Sequence, residues 1–305
     1  MKRATVGLVA GLSAVLVLSA CGGSSNPLAS NSGPASPSGT IVVGGSGGFV
    51  ESQLLGEIYY EALTAKGIKA STNLNLGSRE VYFPALQQGS IDLMPEYTGT
   101  LLQYMNAKAT QVSTPEVYAA LQKTLPSGLI ALNQATAQDK DAVVVTKATA
   151  AQYNAKSIAD LAPHCGDLTF GGTPEFLTRV DGIPGLQKHY SCTFKGYTQL
   201  QAGTVTALAL QQGKVQAADI FTTDPSIAAD GFVVLADPAN NFAAQNVVPI
   251  INAKKATAQV KQILNAVQAK LDTATLAGLD SQLNAPSKPD LSTVAKQWLA
   301  KEGLS

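Results

Sequence analysis

Histidine occurs only twice in the 305 residues, tryptophan once and cysteine three times. Two histidines leave little room for a histidine-rich metal site, and three cysteines are too few for a disulfide scaffold. Charge is scarce as well, at 14% of residues against about 25% in an average soluble domain. The 21 basic residues balance the 21 acidic ones. With no basic block, this argues against a nucleic-acid-binding role. There is no Gly-x-x-x-x-Gly-Lys-Ser/Thr loop, so the chain does not itself draw work from ATP. Hydrophobic side chains make up 45% of the sequence, ample for a packed core and incompatible with wholesale disorder.

The first 40 residues stand apart. Lys2 and Arg3 precede an apolar run from Ala4 to Leu18 and the tetrad Leu18-Ser19-Ala20-Cys21. This reads as a signal peptide over residues 1–20, its apolar run short for a membrane span. The tetrad resembles a bacterial lipobox, in which Cys21 is lipidated and anchors the chain to the membrane's outer face without a spanning helix. The alternative is an ordinary signal peptide with a chance cysteine. Removal of residues 1–20 leaves 19 basic and 21 acidic residues, a net charge of −2. Residues 21–40 are then a flexible linker, since Gly22 to Thr40 is almost entirely Gly, Ser, Pro, Asn and Ala.

From Ile41 onward, strands alternate with helices, which predicts α/β architecture. Ile41-Val42-Val43 reads as a strand ending in Gly44-Gly45-Ser46-Gly47-Gly48, and Ser46 as the N-cap of a helix bearing Phe49, Leu54, Leu55, Ile58, Tyr59 and Leu63 on one face. Further strands are expected at Thr72–Leu76, Ile91–Met94, Ala142–Val145, Leu168–Phe170 and Asn246–Ile251. Gly77-Ser78 opens a helix that Gly89 closes. Thr173-Pro174-Glu175 has the residues of a helix start, and Val260, Ile263, Leu264, Val267 and Leu271 share one helical face. Ala85-Leu86-Gln87-Gln88-Gly89 recurs 124 positions later as Ala209-Leu210-Gln211-Gln212-Gly213. The same offset sets Phe221 opposite Tyr97. Two lobes built from one unit would point these rings from equivalent strand ends into the space between them, where open α/β sheets bind ligands.

Cys165 and Cys192 read as a disulfide outside the cytoplasm, worth roughly 3–4 kcal/mol in the chain-entropy model. A metal set with His164 and His189 is the alternative, though neither half has the close ligand spacing of such sites. Gly44-Gly45-Ser46-Gly47-Gly48 formally matches a Ser nucleophile elbow, but no earlier strand supplies an oxyanion loop. A glycine-rich turn that lets a ligand approach is the preferred reading, which makes Ser46 a candidate binding residue and the hydrolase a distant alternative. Arg179 is either a surface partner of Asp181 or a two-pronged clamp for a ligand carboxylate.

Gly77-Ser78-Arg79-Glu80-Val81 through Ile91-Asp92-Leu93-Met94-Pro95-Glu96-Tyr97-Thr98-Gly99-Thr100 resembles the substrate-binding lipoproteins of osmoprotectant ABC importers of the ProX/OpuC type. Gly45-Ser46, Phe49, Glu51, Glu175-Phe176, Arg179, Asp181-Gly182 and Thr222-Thr223-Asp224 are similar too, as is the end of the chain from Val294 to Leu304. The resemblance implies a type II periplasmic-binding-protein fold, α/β, with two lobes joined by two crossing hinge strands. Lobe 1 is expected at 41–141 plus 247–305, and lobe 2 at 142–246. It further implies an extracytoplasmic, lipid-anchored monomer without catalysis, cofactor or metal. Such a protein would deliver glycine betaine, choline, carnitine or proline to permease and ATPase subunits.

By that resemblance Tyr97 is a ring of an aromatic cage around a quaternary ammonium group, Phe221 stands at a further cage position, and Thr100 and Arg179 meet the ligand carboxylate. The chain departs from the pattern at Lys140-Asp141, at Phe242-Ala243-Ala244-Gln245-Asn246 and at Gly47. Two rings and one cation are thereby replaced by Asp141, Gln245 and glycine. Asp141 is expected either as a counter-charge to an ammonium or, with Gln245, as an acceptor for a neutral hydroxyl-rich or aromatic solute. An envelope adhesion module is the remaining alternative, though it leaves the matched strand-end rings without a purpose.

Overall fold

The computed structural model describes residues 39–285 and 287–305. The segment read as a signal peptide, the expected lipidation site Cys21 and the expected linker up to residue 38 lie outside the described residues. In chain order a first group of elements comprises β1 (Ile41–Ser46), α1 (Val50–Ala65), β2 (Ala70–Leu76), α2 (Arg79–Gln88), β3 (Leu93–Tyr97), α3 (Thr98–Met105), α4 (Thr114–Thr124) and β4 (Leu129–Ala131). A second group comprises β5 (Val143–Val145), α5 (Lys147–Gln152), α6 (Ile158–Leu161), β6 (Thr169–Gly172), α7 (Ile183–Tyr190), β7 (Gly196–Gln199), α8 (Thr204–Gln211), β8 (Ala217–Asp219), α9 (Ser226–Ala229) and β9 (Val233–Val234). The chain returns as β10 (Val247–Asn252), followed by α10 (Ala258–Gln268), α11 (Thr273–Leu283) and α12 (Leu291–Glu302).

Two five-stranded sheets result, ordered β2-β1-β3-β10-β4 and β7-β6-β8-β5-β9. In the first, β1 runs parallel to β2 and β3, and β10 runs antiparallel to β3 and β4. In the second, β6 runs parallel to β7 and β8, and β5 runs antiparallel to β8 and β9. The two sheets thus have one pattern, and β3 and β8 hold the same third place. The internal echo falls on these equivalents, at the end of α2 before β3 and the end of α8 before β8.

Burial explains the strand composition. Val43, Leu93, Val247 and Ile251 are covered by α1, α10 and α12 through Leu54, Leu55, Ile58, Val267, Trp298 and Leu299. Tyr82, Leu86, Met94, Leu101 and Val248 fill the opposite face. The second sheet has its own cores, one around Phe170, Phe176, Leu186 and Leu235 and one around Val144, Leu210, Val215 and Ile220. Gly56 lets α1 lie close on β1, since a Cβ there would sit 2.6 Å from the carbonyl oxygen of Gly44.

Between the sheets, the segment after β4 and the segment before β10 run side by side in opposite directions. Ala135 donates to Val247 O at 2.8 Å, Val247 to Ala137 O at 3.0 Å and Asp139 to Gln245 O at 3.2 Å. Cys165, in a 3-10 turn over Ala162–Asp167, is disulfide-bonded to Cys192 just beyond α7, with Cα atoms 5.4 Å apart. His164 lies against the ring of Tyr153, with centroids 4.5 Å apart.

Several boundaries differ from the sequence reading. Ser46 is the last residue of β1 rather than an N-cap, and α1 opens after Phe49 without a side-chain cap. The strand runs on because Gly47 donates to Leu76 O, prolonging the pairing with β2. β3 begins at Leu93 and includes Pro95, Glu96 and Tyr97, which pair with β10 through Val247, Val248 and Pro249. Thr173 Oγ1 accepts the Phe176 N–H at 3.3 Å, as a cap does, but residues 174–178 form consecutive turns instead of a helix. Leu271 packs in the first core from a loop beyond α10.

Candidate functional site

β1 and β3 of the first sheet and β6 and β8 of the second direct their carboxyl ends toward one another, and a cavity of about 490 Å³ lies there. Ser46, Tyr97, Thr100, Asp141, Arg179, Phe221 and Gln245 all line it. Phe49, which pattern reasoning placed on a helix core face, lies between the two strand-end rings. Its centroid is 5.8 Å from that of Tyr97 and 5.2 Å from that of Phe221. The three form a continuous aromatic wall contributed by both halves of the molecule. The signal for Phe49 was its position just past the carboxyl end of β1, where such sheets bind ligands. Beyond Phe49 and Phe221 a second cavity of about 830 Å³ opens between α1 and α11 on one side and α8 and α9 on the other.

The polar residues take roles that the sequence did not show. Gln245 is not free to accept from a solute, because its Oε1 receives the N–H groups of Gly99 at 3.1 Å and Thr100 at 3.0 Å. It thereby satisfies two orphan donors at the start of α3. Asp141 is not an open counter-charge, because its Oδ1 accepts Arg179 Nη2 at 2.7 Å, and Arg179 spends one of its N–H groups there. Arg179 Nε lies 3.3 Å from Asp181 Oδ1 without hydrogen-bond geometry, and its guanidinium sits 5.5 Å from the Phe176 ring centroid. Burial works to neutralise Arg179, but Asp141 and Asp181 outweigh it and hold the group above its ordinary value. Burial and the neighbouring Asp141 push Asp219 well up.

Opposite, Arg79 makes a two-pronged pair with Glu96 in β3, Nε to Oε1 at 3.0 Å and Nη2 to Oε2 at 2.8 Å. Nη2 also reaches Thr100 Oγ1 at 3.2 Å, and Tyr82 Oη donates to Glu96 at 2.9 Å. Burial opposes the Arg79 charge, and Glu96 with Tyr82 restores it. Both arginines on the cavity wall are therefore already matched. Glu80 and Glu175 line it beside Asp141, so its carboxylates outnumber its two arginines. Ser46 Oγ hydrogen-bonds Gly77 O at 3.4 Å, and neither histidine lies on this wall, which leaves a Ser46 nucleophile without its base. Among the described residues no group of histidine, cysteine and carboxylate side chains is arranged to hold a metal ion.

A family model described as "Substrate binding domain of ABC-type glycine betaine transport system" matches residues 39–301. The chain is similar to the glycine betaine-binding protein YehZ of Escherichia coli (strain K12). The two are 29% identical over 270 residues, which cover 83% of this chain and 88% of that protein. It is also similar to the ergothioneine transport permease/ergothioneine binding protein EgtU of Helicobacter pylori (strain G27), 27% identical over 263 residues, 83% of this chain and 46% of that longer protein. A solved glycine betaine/carnitine/choline ABC transporter structure shares the fold with a TM-score of 0.72 at 24% identity, covering 87% of this chain and 99% of that one. The two matched sheets and the crossing segments are accordingly the type II periplasmic-binding-protein fold. The chain belongs to the family of substrate-binding domains of ABC-type glycine betaine transport systems, the extracytoplasmic solute-binding components of osmoprotectant importers.

Proposed function

We propose that the chain captures a small quaternary ammonium solute of the glycine betaine, choline or carnitine class against the wall formed by Tyr97, Phe49 and Phe221. It then presents that solute to the permease and ATPase subunits of an importer. The observation that carries this reading is the three-ring wall beside an acidic cavity whose two arginines are already paired. Ring faces hold a cation for about 0.5–2 kcal/mol each, and the surplus of carboxylates favours a ligand that brings positive charge. The Thr173 hydroxyl, which accepts the Phe176 N–H, supplies an uncharged donor for the solute's oxygen end. A neutral hydroxyl-rich solute is disfavoured, since Asp141 and Gln245, the acceptors it relied on, are engaged elsewhere.

The lobes that close on this solute comprise residues 41–141 with 247–305 and residues 142–246. Ala243 and Ala244 pack on the first lobe beside Leu102 and Val117. A lipidated Cys21 tethers the monomer to the outer face of the membrane, and no bond of the solute is made or broken. Thermal unfolding of the purified protein with millimolar glycine betaine, choline, carnitine or proline tests the reading, because a ligand that binds only the native state stabilises it. The melting temperature rises with at least one of them. No rise with any would remove the osmolyte assignment.

A further inference from the structure

The two halves also meet through carboxyl groups. Glu51, in the first turn of α1, is buried and accepts two hydrogen bonds, from Tyr97 Oη and from Thr223 Oγ1 beyond β8 at 2.8 Å. Asp280 of α11 shares the wall of the second cavity with it. Asp139, in the crossing segment, accepts the Thr223 N–H at 3.2 Å. Thr223 thus bridges from the second half to two acids of the first, where the chain crosses between the sheets. Glu51, Asp139 and Asp280 are 3%, 4% and 8% exposed. Asp141 adds like charge near Asp139, and Asp224 near Asp280. Among the described residues no lysine, arginine or histidine forms an ion pair with any of the three. Lys140, next in the chain, engages Thr222 Oγ1 through its backbone N–H. Carboxyls withdrawn from water without a cation keep a proton. Burial pushes Glu51 and Asp139 up, and burial together with Glu51 pushes Asp280 up to about 11.

We propose that Glu51, Asp139 and Asp280 form a proton-linked latch at the crossing of the two lobes, so that closure on a solute takes up a proton and opening releases it. This rests on the reading that the lobes close on a ligand. In the closed form Asp280 carries the proton and donates it to Glu51. When the lobes part, Thr223 leaves both acids, water enters from the cavity that Glu51, Thr223 and Asp280 line, and the proton passes to solvent. The acids titrate higher in the closed form than in the open one. Closure is therefore most favoured below about pH 4, the ordinary carboxylate range, and weakens as pH rises toward about 11. One proton per closure changes affinity by up to about tenfold per pH unit within that window.

Calorimetric titration of the protein with glycine betaine at pH 7, in two buffers of different ionisation heat, reads the proton count directly. Uptake of up to one proton is expected, with affinity falling up to about a hundredfold from pH 6 to pH 8. Asp280→Asn keeps a donor to Glu51 but removes the group that carries the proton, so it should bind with reduced uptake and a shallower profile. If that variant does not fold, Glu51→Gln serves, with uptake reduced. Zero uptake by the unaltered protein, or an unchanged profile in the variants, overturns the latch. If glycine betaine and choline fail to bind at any pH, the transport reading fails separately. Small-angle scattering of the ligand-free protein then tests the latch alone, expecting a larger radius at pH 9 than at pH 5, a difference that Asp280→Asn diminishes. An equal radius at both values overturns it.

Discussion

Phe49 is the residue on which the site turns, since it touches both strand-end rings and completes a wall that neither half supplies alone. Phe49→Leu keeps most of the apolar bulk that packs on the first core and removes the ring face. Affinity for a quaternary ammonium solute should fall about 2- to 30-fold, the equivalent of one cation–π contact. Binding of proline, which lacks the methylated ammonium, should fall less. Arg179 makes the opposite case. Its charge is satisfied by Asp141 at 2.7 Å, so replacing the pair together, Asp141→Asn with Arg179→Met, should leave glycine betaine affinity within about threefold. A residue clamping the ligand carboxylate would instead cost about 2 kcal/mol or more as a charged hydrogen bond, a loss of about 30-fold. The single change Arg179→Met is the wrong test, because it strands Asp141 and destabilises the fold by roughly 3–5 kcal/mol.

At the scale of elements, α3 begins where β3 ends, and residues remote in sequence secure that junction. Gln245 caps its first N–H groups from the returning crossing segment, and Arg79 from α2 holds Glu96 beneath it. Gln245→Ala removes an acceptor from two buried donors and should lower stability by about 1–3 kcal/mol, measured as a shift in the denaturant midpoint at unchanged slope. A midpoint within 0.5 kcal/mol of the parent would show that water replaces the cap. The same junction shows how far sequence reasoning reached. The α/β alternation and the Gly89 helix stop follow from local pattern, because periodicity and left-handed backbone are properties of short windows, and the strand-end rings Tyr97 and Phe221 follow from the internal echo 124 positions apart. That Gln245 is a cap and that Asp141 holds Arg179 depends on contacts 145 and 38 positions apart. Pro95 hid the end of β3, since proline seldom sits inside a strand. Thr173-Pro174-Glu175 has a helix start's residues, yet the chain turns back at once through Gly182, where a Cβ would meet the Phe176 carbonyl oxygen 1.9 Å away.

The whole molecule is two sheets of one pattern with separate cores, joined by two crossing segments and by the contacts of Thr223 and the ring wall. With so little between them, the halves are free to unfold separately once one is weakened, and two-state behaviour then fails. The disulfide lies wholly in the second half and closes the stretch that contains β6, Arg179 and α7. Replacing Cys165 and Cys192 by alanine should cost that half about 3–4 kcal/mol in the chain-entropy model and leave the first sheet untouched. Calorimetry of the variant should resolve two transitions where the parent shows one. Saturating solute contacts both halves, so it couples their unfolding through binding and should merge the transitions again. A variant that melts in one step without ligand would mean that the crossing segments and Thr223 contacts couple the halves more strongly than their few hydrogen bonds suggest. Two transitions that persist at saturation would place the solute on one half only, away from the wall that Phe49 completes.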